Sequence, residues 1–159
     1  MIQVGIIGGA GYTAGELIRL LLNHPEIHIN FIYSTSQAGH KIRKIHQDLI
    51  GSTDLVFSSK INPEIDVLFL CLGHGNSKVF LEKNSFSKTT KIIDLSTDFR
   101  LEADLNFNGK SFVYGLPELQ KEAIKKANYI ANPGCFATAI QLALLPLAKS
   151  NGLKDDVHI

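Results

Sequence analysis

The chain has 159 residues, 45% of them hydrophobic and 19% charged, with 16 Lys and Arg against 15 Asp and Glu for a formal net charge of +1. This composition excludes intrinsic disorder and removes the electrostatic basis for a dedicated nucleic-acid binder. Two cysteines make no disulfide framework and point to a reducing cytoplasm. The longest apolar stretch, Ala137–Ala148, is interrupted by Gln141 and Pro146 and falls short of the ~20 residues that span a bilayer, so no membrane partner is expected.

In chain order, Gln3–Gly8 predicts a buried strand, and Tyr12–Asn23 a helix with Leu17, Leu20 and Leu21 on one face, stopped by Pro25. Ile27–Tyr33 alternates and is rich in β-branched residues, which predicts a second strand. Lys41–Leu49 suits a short helix or a loop, and Leu55–Ser58 a weak strand. The continuous apolar run Asp66–Leu72 predicts a central strand covered on both faces. A helix over Lys78–Asn84, a strand over Lys91–Leu95, a helix over Pro117–Ala127 with Pro in its first turn, a strand over Tyr129–Ala131 and a helix over Cys135–Lys149 complete the pattern. Strand alternating with helix predicts the α/β class, as a Rossmann-like, doubly wound, mostly parallel sheet. Residues 1–150 are expected to form a cofactor domain ending in the Cys135 helix, and residues 151–159 to begin a second α/β domain, with Asp155–Ile159 opening a further strand.

Between the first strand and helix lies Gly8-Gly9-Ala10-Gly11-Tyr12-Thr13-Ala14-Gly15. Glycines there allow a sharp turn and close approach of a pyrophosphate, which the helix N-terminus then holds through free N–H groups. The second strand ends in Tyr33-Ser34-Thr35-Ser36, with no carboxylate between Glu26 and Asp48. An NAD site places Asp or Glu there for the ribose 2′-hydroxyl. Hydroxyls followed by Lys41, Arg43 and Lys44 instead suit a 2′-phosphate, so the expected cofactor is NADP(H).

Asn132-Pro133-Gly134-Cys135 puts a thiol where a turn enters a helix, a setting that favours the reactive thiolate. Cys71, inside the central apolar run, is expected to behave as a small buried hydrophobe. Gly73-His74-Gly75-Asn76-Ser77 and Asp94-Leu95-Ser96-Thr97-Asp98-Phe99-Arg100 each follow a strand, where an α/β sheet builds its ligand crevice. Ser96 and Arg100 suit a phosphate or carboxylate, and Asp98 an ion pair with Arg100 or a turn cap. The sparse Cys and His predict no metal site, and His24, His28, His40 and His46 are expected at the surface.

In chain order, Gly8–Leu17 (GGAGYTAGEL), Gly73–Ser77 (GHGNS), Asp94–Arg100 (DLSTDFR), Tyr114–Leu119 (YGLPEL) and Asn132–Ala139 (NPGCFATA) closely resemble the N-terminal part of the N-acetyl-gamma-glutamyl-phosphate reductase family. Ala14 stands where that family usually has a third glycine, with Gly15 next to it. The resemblance implies NADPH-dependent reduction of an acyl phosphate to a semialdehyde, in arginine biosynthesis: Cys135 expels phosphate to leave a thioester, and hydride gives a thiohemiacetal that collapses. It also implies cofactor contacts at Gly8, Gly11, Tyr12, Thr13, Ala14, Ser34, Thr35, Arg43, Gly73 and His74, and substrate contacts at Ser96, Arg100 and Asn132. Members are about twice as long, with a second domain that supplies the acid/base His and a homotetramer interface. These 159 residues alone are therefore expected to show no appreciable turnover and, with apolar surface uncovered, to self-associate. The alternatives are an N-succinyl, carrier-linked or aspartate-semialdehyde type of the same chemistry, or a non-catalytic NADP-sensing module.

Overall fold

The computed structural model describes residues 1–154 and 156–158. Seven strands form one sheet in the order β2-β1-β3-β4-β7-β6-β5. They are β1 (Ile2–Ile7), β2 (Ile27–Tyr33), β3 (Val67–Leu70), β4 (Lys91–Asp94), β5 (Asn106–Phe107), β6 (Lys110–Tyr114) and β7 (Tyr129–Ala131). Every pairing is parallel except the β5–β6 hairpin. The helices are α1 (Tyr12–Leu22), α2 (Asn76–Lys83), α3 (Pro117–Lys126) and α4 (Cys135–Lys149). β1 lies between β2 and β3, so the chain crosses to one side of β1 first and then to the other. Such a reversal opens a crevice at the carboxyl ends of the strands, and both glycine turn and cysteine turn lie there.

Each face of the sheet carries its own core. One packs Ala14, Ile18 and Leu21 of α1 against Val4, Ile6 and Ile32, closed by Ile42, Leu49 and Phe57. The other packs Leu81 of α2 against Leu68, Leu70 and Ile92, with Phe99 stacked on Phe112 at 3.9 Å between ring centroids. β3 feeds both, through Val67 and Phe69 on one side and Leu68 and Leu70 on the other, as a continuous apolar run requires.

Two local expectations are corrected and one hairpin is added. Leu55–Ser58 forms only isolated bridges, Lys41 with Val56 and Tyr33 with Ser58, while the Lys41–Leu49 segment before it holds two short 3-10 turns at Ile42–Lys44 and Gln47–Leu49. The β5–β6 hairpin turns at Asn108-Gly109, whose φ angles are 48° and 75°; Asn-Gly between two short apolar segments is the signal that marks it. α2 begins at Asn76, two residues before the predicted start, for a reason found in its cap. Of the strand expected over Asp155–Ile159, residues 155 and 159 lie outside the described residues, and Asp156–His158 have no regular structure. α4 is apolar yet none of its fifteen residues is buried, and Phe136, Leu142 and Leu147 are exposed.

Candidate active site

The glycine turn is held by geometry that tolerates only glycine, as Gly8 and Gly15 show. Gly8 has φ +79°, and a Cβ on it would stand 2.4 Å from the Cys71 carbonyl oxygen at the end of β3. A Cβ on Gly15 would stand 2.5 Å from Nδ1 of His46. His46 is buried, and its Nε2 lies 2.7 Å from the Gly9 carbonyl oxygen, so it braces the turn from beneath. This overturns the expectation of a surface His46: the bare Gly15 lets the ring approach α1, a tertiary contact with no local signal. Gly11 is the N-cap of α1 and contributes no side-chain cap, and no acidic residue lies in the first turn. The first N–H groups of α1 thus face the crevice uncompensated, as anion binding requires.

Beside this turn is a cleft of about 500 Å³ lined by Gly8, Ala10, Tyr33, Ser34, Thr35, Ser36, Leu72, Phe80 and Lys83 among others. Among the described residues no carboxylate lines it. Ser34 is buried and fixed, its N–H donating to the Ser58 carbonyl at 3.1 Å while its hydroxyl accepts the Gln37 N–H at 3.3 Å.

The N-terminus of α2 is closed to anions by the protein itself. The Asp98 carboxylate accepts the N–H groups of Gly75 at 2.6 Å, Ser77 at 2.9 Å and Lys78 at 3.1 Å, which is why this helix starts before Lys78. Burial pushes the Asp98 carboxyl up, but the N–H donors of Gly75, Lys78 and Ser77 more than reverse it and hold it below the ordinary value. Asp94, also buried, accepts the hydroxyls of Ser77 at 2.5 Å and Ser96 at 2.7 Å, yet burial dominates and raises its carboxyl. Asp98→Asn is expected to cost about 1–2 kcal/mol of stability at pH 7. A depressed native carboxyl stabilises above its unfolded value and loses that contribution as pH falls through its native value. The gap between wild type and variant in denaturant melts is therefore expected to close with acidification.

Cys135 opens α4 directly behind β7. Gly134 caps that helix without a side chain, and Cys135 is solvent-exposed. A second cleft, about 860 Å³, brings Cys135 together with Thr13, His74, Arg100, Glu118, Asn132 and Gly134. Arg100 is anchored by backbone: Nε donates to the Asn132 carbonyl and Nη2 to the Leu95 carbonyl, each at 2.8 Å. Its Nη1 lies close against Gly134, 2.9 Å from where a Cβ would be. His74 accepts the Thr97 N–H on Nδ1 at 3.2 Å, so the neutral ring carries its proton on Nε2.

The structure thus gathers Gly8, Ser34 and Thr35 in one cleft and Thr13, His74, Arg100, Asn132 and Cys135 in the other. Gly11 and Tyr12 stand at the head of α1, with Tyr12 exposed, and Gly73 follows β3. Three expected contacts lie elsewhere. Ala14 is fully buried in the core beneath α1, because the third position of the turn already faces the sheet. Ser96 is fully buried, its hydroxyl spent on Asp94 and on the Asp98 N–H at 3.0 Å. Arg43 lines neither cleft and pairs with Asp54 at 3.4 Å. Asp98 caps α2 and makes no ion pair with Arg100. Lys83 also lines the first cleft, which its surface-helix spacing does not signal.

Cys71 is half-buried, and burial, reinforced by Asp94, pushes its thiol up to about 12. Among the described residues no helix is long and apolar enough to cross a membrane.

Residues 3–127 match the family described as semialdehyde dehydrogenase, NAD binding domain. Among curated proteins, the N-acetyl-gamma-glutamyl-phosphate reductases of Christiangramia forsetii and Flavobacterium johnsoniae are 68% and 64% identical over all 159 residues, which cover 48% and 49% of those proteins. The chain therefore spans about half the length of the curated relatives it matches. Among solved structures, the aspartate semialdehyde dehydrogenase of Candida albicans, determined with NADP, superposes with TM-score 0.68 at 22% identity, covering 96% of this chain and 48% of its own. The Vibrio cholerae aspartate semialdehyde dehydrogenase II gives TM-score 0.62 at 19% identity, over 94% of this chain and 47% of its own. At these identities the superpositions speak for the fold.

Proposed function

We propose, on the premise that this chain belongs to the semialdehyde dehydrogenase NAD-binding domain family, that it is the cofactor- and nucleophile-bearing half of an NADPH-dependent N-acetyl-gamma-glutamyl-phosphate reductase. The observation that carries the reading is an exposed Cys135 at an uncapped helix N-terminus, sharing its cleft with Arg100, His74 and the glycine turn's Thr13. The high identity to reductases of that name supports the substrate.

The residues present fit NADP(H). The tight turn that Gly8 permits and the open N-terminus of α1 behind it suit a pyrophosphate. The hydroxyls of Ser34, Thr35 and Ser36, with no carboxylate beside them, suit a phosphorylated ribose. When bound, the cofactor supplies a hydride.

The rest is chemistry of this chain's own groups. The Cys135 thiolate attacks the acyl carbon, the carbon–oxygen bond to phosphate breaks, and phosphate leaves with the electron pair, leaving a thioester on Sγ. The free N–H groups at the head of α4 and Nη1 of Arg100 are placed to stabilise the negative charge that develops on the acyl and phosphoryl oxygens. With Nδ1 accepting from Thr97, His74 has Nε2 left to donate in the same cleft. Because Arg100 is tied to two backbone carbonyls, its charge costs no further ordering when substrate arrives. The complete protein is read as a cytoplasmic homo-oligomer, a tetramer by resemblance, with the exposed apolar face of α4 supporting a covered interface.

The test has two arms. Titration with NADPH and NADH, followed by cofactor fluorescence, is expected to show clear preference for NADPH; equal affinities sink that cofactor assignment. Mixing with N-acetyl-gamma-glutamyl phosphate is expected to release at most one phosphate per chain and to leave an acyl mass on Cys135. No acylation of Cys135, or acylation that survives Cys135→Ala, sinks the nucleophile.

A further inference from the structure

The cleft beside the glycine turn contains one cationic side chain among its lining residues, and it does not come from the basic segment after β2. Lys41 and Arg43 of that segment converge on Asp54, at 2.9 and 3.4 Å, and neither lines the cleft. Lys83, by contrast, lines it together with Ser34, Thr35 and Ser36, and is in no ion pair among the described residues. Lys83 is the last residue of α2, and the helix is secured there by buried Leu81 and by the Asn84 side-chain amide, which donates to the Phe80 carbonyl at 2.9 Å. Its flexible amine is therefore mounted on a fixed base.

The chemistry of the whole cleft is asymmetric. Phe80, Val79, Leu72 and Ile61 supply an apolar wall suited to a flat heterocycle. The opposite lip supplies hydroxyls, of which those of Thr35 and Ser36 have no hydrogen-bond partner among the described residues and lie on exposed positions. Among the described residues one positive charge and no negative charge complete the lining. A neutral ribose needs no such cation, whereas a ribose carrying an extra phosphate dianion does.

We infer that Lys83, at the end of α2, is the residue that selects a 2′-phosphorylated adenosine, in concert with the hydroxyls of Ser34–Ser36, and that Arg43 is not. The assignment rests on the NADP reading above and deepens it. The other role open to a lysine in the last turn of a helix is to complement the helix dipole. That role stabilises the chain equally with any ligand and leaves nucleotide preference untouched.

The experiment is calorimetric titration of the chain with adenosine 2′,5′-bisphosphate and with 5′-AMP, which differ only in the 2′-phosphate. Wild type is expected to bind the bisphosphate more tightly, with a preference that shrinks as salt rises. Lys83→Met is expected to weaken bisphosphate binding about tenfold or more and to leave 5′-AMP unchanged, which also shows that the variant is folded. Lys83→Arg is expected to keep most of the preference, and Arg43→Gln all of it. Retention of the preference in Lys83→Met, or its loss in Arg43→Gln, overturns the assignment while the NADP reading stands. Equal binding of the two nucleotides by wild type, or binding of neither, overturns the NADP reading itself and the Lys83 assignment with it.

Discussion

At pH 8 iodoacetamide is expected to modify Cys135 at least about a thousandfold faster than Cys71. The thiolate is the reacting species, and a thiol pushed up to about 12, as Cys71 is, is ionised to only about one part in ten thousand at that pH. Even an unassisted free thiol, with pKa near 8.5, is about a thousandfold more ionised. Access adds to the difference, since Cys135 is exposed and Cys71 half-buried beneath the glycine turn. Peptide mass mapping over time checks the result. Comparable rates at the two cysteines would remove the ground for treating Cys135 as a nucleophile, and would favour a fold kept only to sense the cofactor.

Gly8→Ala is expected to cost about 3 kcal/mol of stability, read as a shifted denaturation midpoint, and to abolish detectable NADPH binding. Two penalties add. A φ of +79° is unfavourable for any residue bearing a Cβ, and that Cβ would meet a backbone carbonyl, Cys71, at 2.4 Å. A flexible side chain could move aside; the end of a central strand cannot. Gly39, by contrast, has φ +83° with nothing within 4 Å of its Cβ position. Gly39→Ala therefore carries the conformational cost alone, about 1 kcal/mol, and is expected to spare cofactor binding. Equal losses in the two variants would show that the carbonyl yields, and that the close approach at Gly8 is not what holds the turn.

Much of the architecture was legible because it is written in local pattern. The run Asp66–Leu72 announces a strand buried on both faces, and β3 sits near the middle of the sheet with residues in both cores. The glycine turn could be placed between strand and helix because its neighbours have the periods of two and 3.6 that define those elements. The Cys135 helix matches its predicted bounds, Gly134 marking its start. Even the missed β5–β6 hairpin was signalled locally by Asn108-Gly109.

What escaped sequence reasoning depends on pairs of residues far apart in the chain. His46 meets Gly9 across 37 positions, and its isolated place in a polar stretch says nothing of burial. Ser96 looks like a ligand for phosphate until Asp94 and Asp98 consume its hydroxyl. Arg43 looks like a free cation until Asp54 is brought beside it, and Lys83 gives no sign of a cleft until the fold sets it in the same lining as Ser34, Thr35 and Ser36.

The sequence by itself therefore determined the alternation of strand and helix, the two turns that need glycine or a helix-opening cysteine, and hence the kind of chemistry the crevice could hold. Only the tertiary structure decided which polar groups remain free to perform it. The physical reason is that backbone conformation answers mainly to neighbours along the chain, whereas a charge or hydroxyl is available to a ligand only if no partner from elsewhere has already satisfied it.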